Sequence, residues 1–212
     1  MLDLNPTVDP GSQDVAPGVL RVPLFGGLAR SLQRGGRCVI LDLGPARSGM
    51  IAFCNRFRCR LDIIDLAQDL DALNGTDDPV ELGRRAGTVL PRQRGDPADV
   101  VLCWDLLNYL QRPALGALMD QVATRARAGA LVHVLIAYSL KRMPVQPGAL
   151  FPVFDPDLEQ GADAHLVSMP RPPGERDAPR YTPDDLRRCL PAYRFERGIL
   201  LSNGMQELLF RL

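Results

Sequence analysis

Two carboxylates and a glycine carry the first chemical signal in this chain. Asp42 and Gly44 close the apolar run Cys38-Val39-Ile40-Leu41, and a helical pattern opens directly after Gly49. A buried strand, a glycine turn and a helix start leave backbone N–H groups free at the turn, the arrangement α/β proteins use to hold a nucleotide-like ligand. Asp65 follows 21 positions after Gly44, at the end of a second β-like run, Cys59 to Ile64. An acid at that strand tip, about 20 residues past the glycines, accepts hydrogen bonds from ribose hydroxyls. The spacing therefore points to a nucleoside.

A third group, Trp104-Asp105 with Asn108 and Tyr109, stands at the end of another short apolar run that begins at Asp99. Open α/β sheets bind their ligands at the carboxyl ends of strands. The same residues also suit a packed tryptophan with Asp105 as a helix N-cap. His133 lies inside an apolar run and reads as a core histidine with its polar atoms satisfied. His165 falls in a proline-rich segment, where exposure would let it touch a substrate. Arg171, Arg176 and Arg180 on that segment form either a solvated face or, on a lid, a means of recognising an anionic substrate.

The surrounding pattern supplies elements to position these groups. Leu20, Leu24, Leu28 and Leu32 recur at four-residue intervals over Val19 to Gln33, predicting a helical lead-in broken near Pro23 and Gly26-Gly27 and ended by Gly35-Gly36. Met50, Ile51, Cys54 and Phe57 gather on one face of the helix after Gly49. Thr88-Val89-Leu90 is the candidate for a third strand. Pro113 opens a helix to about Arg127 with Leu115, Leu118, Met119 and Val122 inward, and Ala130 to Tyr138 is the most apolar strand candidate. Thr182-Pro183-Asp184-Asp185 starts a helix. Tyr193 to Leu201 and Met205 to Leu212, joined through Asn203-Gly204, form an antiparallel hairpin. Continuously apolar strands separated by helices predict a mostly parallel sheet covered on both faces.

The 212 residues, 46% of them hydrophobic, suffice for one domain spanning 1–212, with an irregular stretch over 1–17 and a proline-rich insertion over 139–181 as a possible substrate lid. Formal net charge is zero, so charge gives no reason to expect a nucleic-acid partner. Five cysteines without a C-x-x-C pair suit a reducing compartment better than a disulfide framework or a zinc site; no metal is expected. There is no signal-peptide pattern and no apolar run of the roughly 18 residues a membrane span needs. A cytoplasmic protein without a membrane partner is the expectation.

The order of elements, closed by a hairpin, resembles the class I S-adenosylmethionine-dependent methyltransferases. Val39-Ile40-Leu41-Asp42-Leu43-Gly44 is similar to their first motif, an apolar strand ending in acid-x-Gly, and Asp65 matches the acid of their second strand. Asp99 to Leu110 resembles the fourth strand and the segment after it, and Arg127-Ala128-Gly129-Ala130-Leu131 the turn into the fifth. Where the family's fuller first motif is acid-x-Gly-x-Gly-x-Gly, this chain has Ala46 and Ser48 at the second and third glycine positions. Both are small enough to keep a backbone approach open, and the absence of G-x-G-x-x-G turns the reading away from a pyrophosphate.

The resemblance implies a Rossmann-like three-layer α/β sandwich, a mostly parallel sheet of about seven strands ending in an antiparallel hairpin. It implies S-adenosyl-L-methionine as cofactor, with Asp42 in its site and Gly44, Pro45 and Ala46 beneath the methionine part. Asp65 would hold the ribose and Leu66 lie beside the adenine, with Trp104 and Asp105 facing cofactor or substrate. Asp105 is the candidate base, and Tyr109, Tyr138 and His165 the candidate contacts to a small-molecule or protein methyl acceptor. The altered glycine motif also admits a catalytically silent scaffold that acts through a protein partner.

Overall fold

The computed structural model describes residues 7–8, 19–91, 95–148, 150–153, 165–168 and 174–212. Most of the stretch expected to be irregular over 1–17, and Arg171, lie outside these. The chain runs β1 (Thr7–Val8), β2 (Val19–Arg21), α1 (Pro23–Arg34), β3 (Cys38–Asp42), α2 (Ser48–Asn55), β4 (Cys59–Ile63), α3 (Leu70–Asn74), α4 (Pro79–Val89) and β5 (Ala98–Trp104). A 3-10 turn, Leu106–Tyr109, leads to α5 (Arg112–Ala123), β6 (Ala126–Ala137), β7 (Arg142–Pro144), β8 (Leu150–Val153), β9 (His165–Ser168), β10 (Glu175–Asp177), α6 (Pro183–Cys189), β11 (Arg194–Leu200) and β12 (Met205–Arg211).

The main sheet has the order β1-β11-β12-β6-β5-β3-β4. β4, β3, β5 and β6 are mutually parallel. β12 lies antiparallel between β6 and β11, and the two-residue β1 pairs parallel with β11 at the far edge. The apolar runs explain the positions: every residue of β3 is buried, whereas β4, at the edge, is half-buried along its length. Connections from β3 go to one side and those into β5 and β6 to the other, so the strand order reverses between β3 and β5. In open α/β sheets that reversal opens a crevice at the carboxyl ends.

The two faces bury separate cores. One gathers Leu41, Leu43, Leu66, Leu82, Leu107, Leu115, Leu118 and Val132 beneath α3, α4, α5 and α6. The other gathers Phe25, Leu28, Ile40, Met50, Phe53, Leu102, Trp104 and Leu135 beneath α1 and α2. The Rossmann-like three-layer reading of the sequence holds.

Four local expectations are corrected. The lead-in helix is not broken at Pro23. Pro23 is its first residue, where the missing N–H costs nothing, and Val19–Arg21 is a strand instead. The helix continues through Gly26-Gly27 because Leu24, Phe25, Leu28 and Leu32 are buried, each contributing about 1.5–3 kcal/mol, more than the glycines cost. In α2 the inward face is Met50, Phe53 and Cys54, while Ile51 is 46% exposed. Thr88-Val89-Leu90 is no strand: Asp78 caps α4 through Glu81 N–H at 2.9 Å, and Leu82, Ala86 and Leu90 bury one helical face. The helix thereby consumes Thr88 and Val89, and among the described residues no strand lies beyond β4. Finally, α5 stops at Ala123 and β6 starts at Ala126, each earlier than the pattern predicts.

The proline-rich stretch 139–181 contains ordered strands where described. β7 and β10 form an antiparallel ribbon. β8, β9 and β2 form a three-stranded sheet in the order β2-β9-β8, with Leu166 packed onto the α1/α2 core. Pro144 ends β7 and Pro152 sits in the edge strand β8, positions that need no ladder N–H. The closing hairpin turns at Asn203-Gly204 as predicted, with Gly204 at φ 82° and Asn203 Oδ1 accepting from Met205 N–H at 3.1 Å. α6 starts at Thr182 with a reciprocal capping box to Asp185.

Candidate functional site

Asp42 is the last residue of β3 and is 2% exposed. Its Oδ1 accepts two hydrogen bonds, from Gly44 N–H at 2.9 Å and from Trp104 Nε1–H at 2.6 Å. Burial pushes the Asp42 carboxyl up from its ordinary 3.8 to about 6. The two hydrogen bonds oppose this rise, and the nearby Asp65 carboxylate adds to it. The parallel pairing of β3 with β4 places both acids at one sheet end, where Ile64 N–H donates to Asp42 O at 2.8 Å.

Gly44 is required here by space. A Cβ on it would lie 2.9 Å from Trp104 Cδ1, 3.1 Å from Trp104 Nε1 and 3.2 Å from Asp42 Oδ1, so the indole lies against the Gly44 Cα. Pro45 is half-buried and Ala46 exposed. Helix α2 begins two residues on, its N-cap Arg47 providing no side-chain hydrogen bond and its first turn carrying no acid.

Asp65 is exposed, its Oδ1 accepting from Ala67 N–H at 3.0 Å. That Asx-type turn fixes the carboxylate while leaving lone pairs toward solvent. Leu66 is fully buried in the core beneath the loop, so it offers no exposed surface to an adenine.

Trp104 ends β5 with φ 50°, alone among the described non-glycine residues in having positive φ. For a bulky L residue that conformation costs about 1–2 kcal/mol. The β5/β6 pairing shifts register between Leu102 and Trp104, and the indole lies on the α1/α2 face with Val100 and Leu102. There it meets Phe25 at 5.6 Å and His133 at 6.1 Å between ring centroids. Asp105 is buried, and its Oδ2 accepts from Gly148 N–H at 3.0 Å. Asn108 is buried too, its amide donating to Asp105 O and Leu135 O and its Oδ1 accepting from Ala137 N–H, each at 2.8 Å. Tyr109 donates to Gln146 O at 2.7 Å, and the Arg176 guanidinium lies 5.7 Å from its ring centroid. Residues 146–148 thus lie across the carboxyl end of β5.

The structure joins Asp42, Gly44 and Trp104 directly, sets Asp65 just past the end of the neighbouring strand β4, and ties Asp105 and Tyr109 to the segment above. Tyr138 is 52% exposed just past β6, its N–H bonded to Gly204 O. His165 sits in β9, paired with Arg21 and Val153 in the separate sheet.

The sequence gives no hint of Glu207. This residue of β12 is 0% exposed, and its carboxylate accepts from Leu24 N–H at 2.9 Å and Phe25 N–H at 2.7 Å, at the first turn of α1. His133 Nε2 lies 2.8 Å from the same carboxylate, whereas Nδ1 is buried without a partner. His133 is a core histidine, satisfied at one nitrogen. Val22 at the N-cap gives α1 no side-chain acceptor, so Glu207 meets the need from across the sheet. In sequence it is one of two adjacent polar residues, Gln206-Glu207, ahead of an apolar run, and its partners are 74 to 183 positions away.

All five cysteines are free thiols. Burial pushes the Cys38 and Cys54 thiols up to about 12, which leaves them protonated and poorly nucleophilic. Among the described residues no group of His, Cys, Asp and Glu could hold a metal ion, and no helix is long and apolar enough to cross a membrane.

No protein-family model matches the chain, and no curated protein does. Solved structures do. An S-adenosylmethionine-dependent methyltransferase from Clostridium acetobutylicum superposes with a TM-score of 0.51 at 13% identity, over 89% of each chain. The 1,6-didemethyltoxoflavin-N1-methyltransferase of Burkholderia thailandensis, solved with S-adenosylhomocysteine, gives 0.47 at 16% identity, over 88% of this chain and 75% of that one. The N-methyltransferase NodS of Bradyrhizobium japonicum, also with S-adenosylhomocysteine, gives 0.46 at 15% identity, over 96% and 91%. The likeness to the Clostridium acetobutylicum enzyme is one of fold: the chain has the Rossmann-like architecture of the class I methyltransferases.

Proposed function

We propose that this chain binds S-adenosylmethionine at the carboxyl ends of β3 and β4 and transfers its methyl group to an N, O or S nucleophile of a small-molecule or protein acceptor. The observation that carries the reading is the placing of Asp42 and Asp65 at the ends of adjacent parallel strands, beside a glycine and at the reversal of strand order. Asp65 fits the ribose end of such a ligand, since its carboxylate is exposed and already oriented by Ala67 N–H. Asp42 and Gly44 fit the methionine end on condition that the Trp104 indole yields its place.

The cofactor supplies an electrophilic methyl group on a sulfonium, so the chain's part is to bind, align and exclude water. Asp65 holds hydroxyls and Gly44 allows close backbone approach. Residues 146–148, held by Asp105 and Tyr109, keep water from the strand ends. A base is needed only where the acceptor must lose a proton. Asp105 is the candidate, and its Oδ2 is engaged by Gly148 N–H.

The alternative, a silent scaffold working through a protein partner, is favoured by one observation: the indole already fills the space over Gly44. Calorimetric titration of the full chain with S-adenosylmethionine, S-adenosylhomocysteine and NADH separates the readings. The first two are expected to bind and NADH not, and Asp65→Ala is expected to weaken binding at least about tenfold, ~1.4 kcal/mol. Equal affinity in the variant would sink the ribose assignment, and no heat from any ligand would favour the scaffold.

A further inference from the structure

We propose that Trp104 is a gate on the nucleoside cleft: its indole occupies the place over Gly44 and the Asp42 oxygen that a bound ligand would use, so ligand entry and indole departure are one coupled event. The inference rests on the nucleoside-binding reading above and adds to it a residue that opposes binding and reports it.

Three observations meet at this side chain. The first is occupancy. Trp104 Nε1–H donates to the Asp42 oxygen that Gly44 N–H also uses, at 2.6 and 2.9 Å, and the indole edge lies where a Gly44 side chain would be. A ligand donor that seeks Asp42, or a ligand atom that seeks the Gly44 backbone on this side, meets the indole first.

The second is the backbone. Trp104 holds φ 50° where a tryptophan gains nothing intrinsic from it, and the register of β5 against β6 breaks at the same residue. Strain of this kind persists where surrounding contacts over-determine it and concentrates at switch regions. Here those contacts are the Asp42 hydrogen bond and the rings of Phe25 and His133. Transfer of Asp42 to a ligand donor removes the strongest of them, and the residue is then free to relax toward the extended region, which carries the indole off Gly44.

The third is the neighbour. Asp105, next in the chain, holds Gly148 N–H of the segment across the strand ends. A change of backbone at Trp104 moves the Asp105 carboxylate with it. Indole departure and release of residues 146–148 are thereby linked through one peptide unit.

Trp104 is the sole tryptophan of the chain, so its emission is an unambiguous signal. Wild type, Trp104→Gly and Trp104→Phe are titrated with S-adenosylhomocysteine by calorimetry, and the wild type also by fluorescence, with circular dichroism to confirm folding. Glycine accepts φ 50° without strain, and phenylalanine keeps a ring but lacks the N–H. The gate predicts a red shift of wild-type emission with the calorimetric midpoint, and binding to Trp104→Gly at least about tenfold tighter, with Trp104→Phe between. Binding by Trp104→Gly alone, with none by wild type, supports a gate that is firmly shut. Wild-type saturation with unchanged emission, or equal or weaker binding by a folded Trp104→Gly, overturns the gate and leaves the nucleoside reading standing. If Trp104→Gly does not fold, wild-type emission and Trp104→Phe decide. Binding by no folded protein overturns both.

Discussion

Replacing Asp42 with asparagine tests the electrostatics of the strand end directly. In the folded chain the Asp42 carboxyl is pushed up from 3.8 to about 6, chiefly by burial. The folded state therefore holds this proton over a range in which the unfolded chain has released it. Below about pH 4 both states are protonated and the group costs nothing. As pH rises from about 4 to about 6 the unfolded chain ionises while the folded state keeps the proton, so stability falls across that window and levels off once the folded state too carries its buried charge. The rise is roughly two units, and at ~1.4 kcal/mol per unit the ionised carboxylate costs the fold up to about 3 kcal/mol at pH 7. Asparagine keeps an oxygen for Gly44 N–H and Trp104 Nε1–H and carries no charge, although its NH2 must find an acceptor, which returns part of the gain. The expected net gain is about 1–2 kcal/mol at pH 7, and it falls by up to about 3 kcal/mol toward pH 4, where the unsatisfied amide makes the substitution cost about 1–2 kcal/mol. Urea unfolding of both proteins across pH 4 to 8, followed by circular dichroism, gives the difference in stability at each pH. The difference isolates Asp42, because carboxylates such as Glu81, held low by Arg84 and Arg85, contribute equally to both curves. A difference that stays constant from pH 4 to pH 7 would refute the buried-charge argument.

Two further substitutions probe the supports of the site by the same unfolding assay. Gly44→Ala drives a methyl into the indole at 2.9 Å and is expected to cost about 1–3 kcal/mol; Gly36→Ala, which meets nothing within reach, is the control and should change stability by less than about 0.5 kcal/mol. Equal effects would show that the Trp104 contact does not constrain position 44. Glu207→Ala leaves two helix N–H groups and His133 Nε2 without their acceptor in a fully buried place. The expected loss is about 3 kcal/mol or more, and a loss below ~1 kcal/mol would mean that water takes over the cap.

Sequence pattern exposed this fold where one strong local signal sufficed. The apolar runs of β3, β5 and β6 can only be covered strands, and Asn203-Gly204 marks its hairpin by turn chemistry. It failed where two local signals compete and tertiary contacts choose. Pro23 and Gly26-Gly27 look like breakers, yet the buried Phe25 and Leu28 carry the helix through them. Thr88-Val89 looks β-like, yet the Asp78 cap and the Leu82, Ala86, Leu90 face hold it in α4. At the site, Asp42, Gly44 and Asp65 were legible because their relation is one of spacing along a βαβ unit. The Trp104 contact with Asp42 spans 62 positions, and its φ of 50° coincides with a register shift between strands. No local pattern encodes either.

The clamp of Glu207 on α1 also orders events in time. Leu24 and Glu207 are separated by 183 positions, so a growing chain displays the first turn of α1 long before its acceptor exists. Strand β12 does not join an open edge; it lies between β6 and β11 and must arrive with its hairpin partner. Contacts so distant in sequence carry a high loop-closure cost and slow folding. Helix α1 is thus fastened by a strand made much later, β12. A nascent chain halted before residue 207 carries an unfastened α1 with an apolar face still open, the kind of surface that chaperones hold.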